Sequence, residues 1–190
     1  MVSAHVGLEY LAPEGVDGEA FRAVIAEIQS KAKSPTPCVA ENIEGYFLHH
    51  AEFLGRFPTS TYSAYTIYGR MKGTFDVEQD KFMRSLETGA YLSNSYPDET
   101  GKSKDGWRWL KDKEAADWWA KWYDIILKNH PDIWFADELR LKRAVDQIAL
   151  KNYQGADAEL AALAKDPKSP MQAKAQVVLG LMKQKGWIKD

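Results

Sequence analysis

The stretch GWRWLKDKEAADWWAKWYDIILKNHPDIWF, residues 106–135, holds six of the seven tryptophans of the chain. Helical residues rotate by about 100° each, so with Trp118 at zero, Trp122 falls near about 40°, Ala115 near 60°, Ile126 near 80°, Trp119 near 100° and Ile125 near −20°. Lys113, Asp117, Lys121, Asp124 and Lys128 all fall between about 220° and 300° on the same wheel. The rings therefore share a face with isoleucines, opposite the charges, which is the pattern of a packing stripe. Fully burying each ring contributes at least about 1.5–3 kcal/mol. A helix of this kind needs other apolar faces to bury its own, and the rest of the chain must supply them.

Helical periodicity does supply them. In DGEAFRAVIAEIQSKAK, Phe21, Val24, Ile25 and Ile28 recur at three- and four-residue steps before a break at SPTP. A second helix is expected over 38–56, with Ile43, Phe47, Ala51 and Leu54 on its apolar face. A third is expected over 60–72, ending at Gly73. A fourth begins near Thr74 and buries Phe75, Phe82, Met83, Leu86 and Ala90. Further helices are expected over 112–129, 132–150, 153–165 and 170–185. Nowhere does valine-rich alternation between hairpin turns argue for a sheet. Ser169, Pro170 and Gln172 read as a capping box at the last helix, and Gly186 reads as its stop, with Trp187 folding back on Met182. The expectation is one all-α domain over 1–190. Within it lie an irregular segment over 1–16, diffuse helical repeats over 17–95, a loop insert over 96–111 and clearer repeats over 112–190.

Four prolines, Pro58, Pro97, Pro131 and Pro167, are read as following apolar helices, at successive spacings of 39, 34 and 36 residues. Seven residues before them stand Ala51, Ala90, Asp124 and Leu160; eleven before stand Phe47, Leu86, Ala120 and Ala156. Of these eight, only Asp124 is charged. A period in the middle thirties with two helices per unit marks a helical solenoid. Through Tyr153, Ala156, Leu160, Leu163 and Pro167, followed by Leu179 and Gly180, the chain resembles the tetratricopeptide repeat family. FPTSTYSAY is similar to the inter-repeat turn of bacterial envelope proteins built from such repeats.

The resemblance implies a short right-handed solenoid of antiparallel helix hairpins. It also implies a non-enzymatic scaffold that holds a peptide or helix of another protein on a concave surface lined by the first helices of the repeats. By that analogy the lining comes from helices 60–72, 132–150 and 170–185, and the partner-binding residues are Tyr62, Tyr65 and Tyr68 with Asp137, Arg140 and Arg143. A row of tyrosines suits such a surface because each joins apolar area to a hydroxyl. Glu138 and Lys142 read as an ordinary four-spaced ion pair.

Charge and composition narrow the alternatives. The 25 lysines and arginines against 27 aspartates and glutamates give no long-range attraction to nucleic acid or to an acidic membrane. No run of about 18 apolar residues is present to span a bilayer. The chain therefore reads as soluble, and a bacterial periplasmic or envelope location would require a signal removed before residue 1. The single cysteine, Cys38, makes neither an internal disulfide nor a thiolate metal cage.

Specific chemistry finds little support. YPDETGKS, residues 96–103, has Tyr96 where a phosphate loop needs its first glycine, and Asp98 and Glu99 would repel phosphates. Lys102, Lys104, Arg108, Lys111 and Lys113 surround two tryptophans, but Asp105, Asp112 and Glu114 interrupt them, so a solvated loop is favoured over a single-strand binding surface. Glu41, Glu44, His49 and Glu52 gather on one helix side without the repeated Glu-His pairs of a carboxylate-bridged metal site. His50 reads as a buried histidine with a hydrogen-bond partner, and His130 as a turn residue. No cofactor and no metal is expected. The alternative to a protein-binding scaffold is a glycan or cell-wall binding module using Trp107, Trp109 and Trp134.

Overall fold

A computed structural model describes residues 13–32, 51–75, 94–100, 102–104 and 107–189. The chain is mostly helical. Its elements are α1 (Gly15–Ala32), a helical turn over 51–56, α2 (Thr61–Phe75), β1 (Asn94–Pro97), β2 (Trp107–Leu110), α3 (Asp112–Asn129), α4 (Ala136–Ala149), α5 (Tyr153–Lys165) and α6 (Gln172–Gln184). The expected fourth helix beyond Phe75, most of the second, and the cluster Cys38, Glu41, Glu44, His49 and His50 lie outside the described residues, while Thr74 and Phe75, expected to open the fourth helix, belong to α2. The segment read as irregular up to residue 16 already carries the start of α1 at Gly15.

The ends of the helices follow from local chemistry. α2 begins where Asp17, in the first turn of α1, reaches across the chain. It accepts from the Thr61 amide at 2.7 Å, the Ser60 hydroxyl at 2.7 Å and the Thr61 hydroxyl at 2.6 Å. The α2 N-terminus is thus satisfied by a carboxylate from another helix. Gly73 does not stop α2, which runs on to Phe75; a glycine ends a helix only when the chain turns left-handed there. α3 ends at His130, whose amide donates to the Ile126 carbonyl at 2.7 Å, and Pro131 cannot continue the ladder.

α4 and α6 close in the same way. The Trp187 amide donates to Met182 and the Gly186 amide to Lys183, with Gly186 at φ +69°, so the last helix ends in the left-handed turn expected at Gly186. Trp187 packs against the same core as Met182, but its ring stacks on Tyr153, with centroids 5.0 Å apart. At the end of α4 the Asn152 amide donates to Gln147 and the Lys151 amide to Ile148, with a lysine, not glycine, at φ +62°. The expected capping box opens α6 only in part. The Ser169 hydroxyl accepts from the Met171 amide, but the Gln172 side chain donates to the Ala164 carbonyl in the last turn of α5 instead of reaching back.

The insert read as a loop contains a ladder. β1 and β2 pair antiparallel, with Tyr96 opposite Arg108 and Pro97 opposite Trp107. Pro97 therefore sits in a strand and is not equivalent to the turn prolines Pro58, Pro131 and Pro167. The all-α expectation holds in that the chain is mostly helical, with this short ladder the one departure among the described residues.

Among the described residues α3 pairs with α4, α4 with α5 and α5 with α6, each with its neighbour in the chain, whereas α1 meets α2 across the intervening helical turn over 51–56. Two cores result. The first gathers Ile67, Tyr68 and Met71 of α2, Tyr96 and Leu110 of the ladder, Trp118, Trp119, Trp122 and Ile126 of α3, and Phe135 and Leu139. The second gathers Leu141, Ala144, Val145 and Ile148 of α4 with Ala156, Leu160 and Leu163 of α5 and Ala175, Val178 and Met182 of α6. The three α3 tryptophans are no more than 3% exposed, so they pack the interior.

Candidate functional site

α3, α4 and α5 enclose a groove of about 720 Å³. Its floor is α4, whose Asp137, Arg140, Arg143 and Gln147 recur at three- and four-residue steps and so share a face. Its walls include small residues, Ala116 and Ala120 from α3 and Gly155, Ala158 and Ala162 from α5, beside Tyr123, Asp124, Glu159 and Leu163. Small side chains at helical spacing on both walls leave the floor uncovered. Leu150, 40% exposed, stands at one end.

Arg143 ties the groove together. Its guanidinium donates to both Glu159 oxygens on α5, at 2.5–3.1 Å, and to Asp124 on α3 at 3.1 Å. Hydrogen bonding to Glu159 raises its pKa further, so it stays cationic. Arg140 donates to Asp137 at 2.6 Å. Beneath the floor, Asp146 accepts from the Tyr123 hydroxyl at 2.7 Å and pairs with Lys142, whose ammonium lies 5.5 Å from the Trp119 ring centroid. The expected Glu138–Lys142 pair is not formed: Lys142 turns into the interior towards Asp146, and Glu138 accepts from Tyr68 at 3.0 Å.

The structure brings Asp137, Arg140 and Arg143 to one groove but places the three tyrosines elsewhere. Tyr62 stacks near Phe21 of α1, with centroids 6.3 Å apart. Tyr68 is buried and stacks on Phe135 at 4.1 Å; burial first, and the hydrogen bond to Glu138 second, push its hydroxyl up to about 12. Tyr65 is exposed and meets Phe135 edge-on at 5.5 Å. The groove walls are α3 and α5, not the expected first helices at 60–72 and 170–185. Ala120 entered the sequence reading only through the proline-spaced repeat, and the other groove alanines and Glu159 carried no signal beyond their helical spacing.

The tryptophans of the alternative reading also separate. Trp109 and Trp134 are 60% and 62% exposed. Trp107 is half-buried, with the Arg70 guanidinium 5.7 Å from its ring. Trp134 meets Tyr68 and Phe135 edge-on in the turn before α4.

The acidic residues that spoiled the phosphate-loop match have structural work. Asp98 accepts from the Thr100 amide, the Thr100 hydroxyl and the Ser103 amide. The Thr100 hydroxyl contributes most to holding its carboxyl below the ordinary value. Glu99 accepts from Lys121 at 2.9 Å and from the Trp118 indole at 3.1 Å, which docks the hairpin on α3. Arg108 and Lys113 are likewise engaged, with Glu99 and Asp117.

His130 Nε2 lies 2.9 Å from the Thr59 carbonyl oxygen, a turn contact. Among the described residues no three histidine, cysteine or carboxylate side chains are grouped to hold a metal ion, and no helix is long and apolar enough to cross a membrane. No protein-family model, curated protein or solved structure matches the chain.

Proposed function

We propose that the protein is a non-enzymatic interaction scaffold, a tetratricopeptide-like solenoid that seats a peptide or helix of a partner protein. The groove over α4 is the seat. The observation that carries this reading is the groove itself: about 720 Å³ of open space, with alanine and glycine walls that let another backbone approach closely. Sequential pairing of α3 with α4, α4 with α5 and α5 with α6 is what a stack of hairpins requires, and it supports the solenoid over that stretch.

The test is selection from a displayed random-peptide library on the wild type and on Ala158→Trp/Ala162→Trp. Both alanines are exposed, so the indoles fill the groove without entering either core. Peptides selected on the wild type are expected to bind the filled variant at least tenfold more weakly, with helical content unchanged by circular dichroism. Equal binding to both forms rejects the groove as the seat.

The exposure of Trp109 and Trp134 favours a second reading, glycan binding by stacked rings. It predicts that an amino-sugar oligosaccharide shields these indoles from iodide quenching. Unchanged quenching rejects it.

A further inference from the structure

The charges around the groove do not balance. Five carboxylates line it, those of Asp124, Asp137, Asp146, Glu159 and Asp166, against the guanidiniums of Arg140 and Arg143. Lys142, from beneath, pairs with Asp146, and Arg140 pairs with Asp137. Arg143 is shared by Asp124 and Glu159, so those three groups keep one negative charge. Asp166 accepts the Lys168 amide but pairs with no cation among the described residues. Two negative charges remain uncompensated, with Asp124 and Asp166 exposed at the rim of the groove where they attract a cation.

Their placement is also informative. Glu159 lies on α5 and Asp166 is the residue that caps its C-terminus, seven positions on and about two helical turns, or roughly 10 Å, away. The alanine and glycine walls suit a helix, which needs an interaxial distance of about 8–10 Å to pack. Leu150 offers an apolar contact at the rim. Resting on the scaffold reading above, we propose that the occupant is a helix of a partner protein that presents lysine or arginine side chains on one face, spaced by one to two turns beside an apolar residue.

The test uses two fluorescein-labelled helical peptides of about 18 residues, or five turns. One carries lysines at i, i+4 and i+7 on an alanine and leucine face; the other carries glutamates at the same positions. Binding is followed by fluorescence anisotropy against the full chain, Asp124→Asn/Asp166→Asn and the groove-filled variant Ala158→Trp/Ala162→Trp. Asp124 and Asp166 are exposed, so their replacement leaves the fold in place.

The lysine peptide is expected to bind the wild type at least tenfold more tightly than the glutamate peptide. That preference should shrink to threefold or less in the double asparagine variant and weaken as salt rises. Binding should disappear when the groove is filled. Equal or tighter binding of the glutamate peptide, lost on filling the groove, overturns the cationic occupant and leaves the scaffold reading standing. Binding that survives the filled groove overturns both. Failure of both peptides to bind overturns the cationic helix, while the library selection decides the scaffold independently.

Discussion

Lys142 and Asp146 are the most exacting feature of the interior. Their side chains are 2% and 5% exposed, and Asp146 also receives the hydroxyl of Tyr123, which is fully buried. Lys142→Met removes the cation and leaves a nearly buried carboxylate at the groove floor without its partner, at a cost of about 3–5 kcal/mol. Asp146→Leu strands the ammonium and is expected to cost a similar amount. The double variant removes both charges and restores apolar contact, so the remaining loss is the Tyr123 hydroxyl without Asp146, about 1–3 kcal/mol. The two single losses would sum to about 6–10 kcal/mol if independent, so the cycle should show a coupling of at least about 3 kcal/mol. Urea unfolding followed by far-ultraviolet circular dichroism and tryptophan fluorescence measures all four corners. In a domain stable by about 5–15 kcal/mol, either single change removes a large share of the total. A Lys142→Met loss below about 1 kcal/mol, or additive losses in the double variant, would refute the buried pair.

Three further outcomes are expected. Burial raises the Asp17 carboxyl, but hydrogen bonds from Thr61 and Ser60 outweigh it and hold the group below its ordinary 3.8. Its contribution is thus present above pH 3.8 and lost as pH falls towards the depressed native value. Asp17→Asn should flatten that part of the acid-unfolding curve, and an unchanged slope would contradict the cap on α2. Lys151 holds φ +62°, so Lys151→Gly should relieve about 1 kcal/mol of backbone strain and raise the thermal midpoint by about 2–4 °C; a fall in the scanning-calorimetry midpoint would contradict it. Trp109→Phe/Trp134→Phe should remove much of the iodide-quenchable fluorescence, since Trp118, Trp119 and Trp122 are buried and Trp107 and Trp187 only partly exposed; undiminished quenching would contradict the exposure of Trp109 and Trp134.

Residues with strong periodic signals were placed well by the sequence, and residues whose role depends on distant partners were not. The α3 wheel put Trp118, Trp119 and Trp122 on one apolar face because helix geometry alone decides that face. Tyr62, Tyr65 and Tyr68 step by about −60° each, so the first and last stand about 120° apart and face α1 and Phe135 respectively. Equal spacing in the sequence was not a shared surface. Asp137, Arg140 and Arg143 drift by the same angle, yet all three line one groove. The ladder escaped because each strand has four residues and one contains a proline, too short for alternation to register. Asp98 and Glu99 looked like obstacles to anion binding; only the fold shows them holding a turn and docking it on Trp118 and Lys121.

α4 contributes Leu139 to one apolar cluster and Leu141, Ala144, Val145 and Ile148 to the other. No other helix among the described residues has buried side chains in both. It is therefore the structural hinge pin through which the halves sense each other. Loosening α5 and α6 strips one flank of α4 while the tryptophan-rich half still grips the opposite flank. Amide hydrogens of α5 and α6 should accordingly exchange as one cooperative unit, ahead of those in α3, with α4 breathing only when the whole molecule opens.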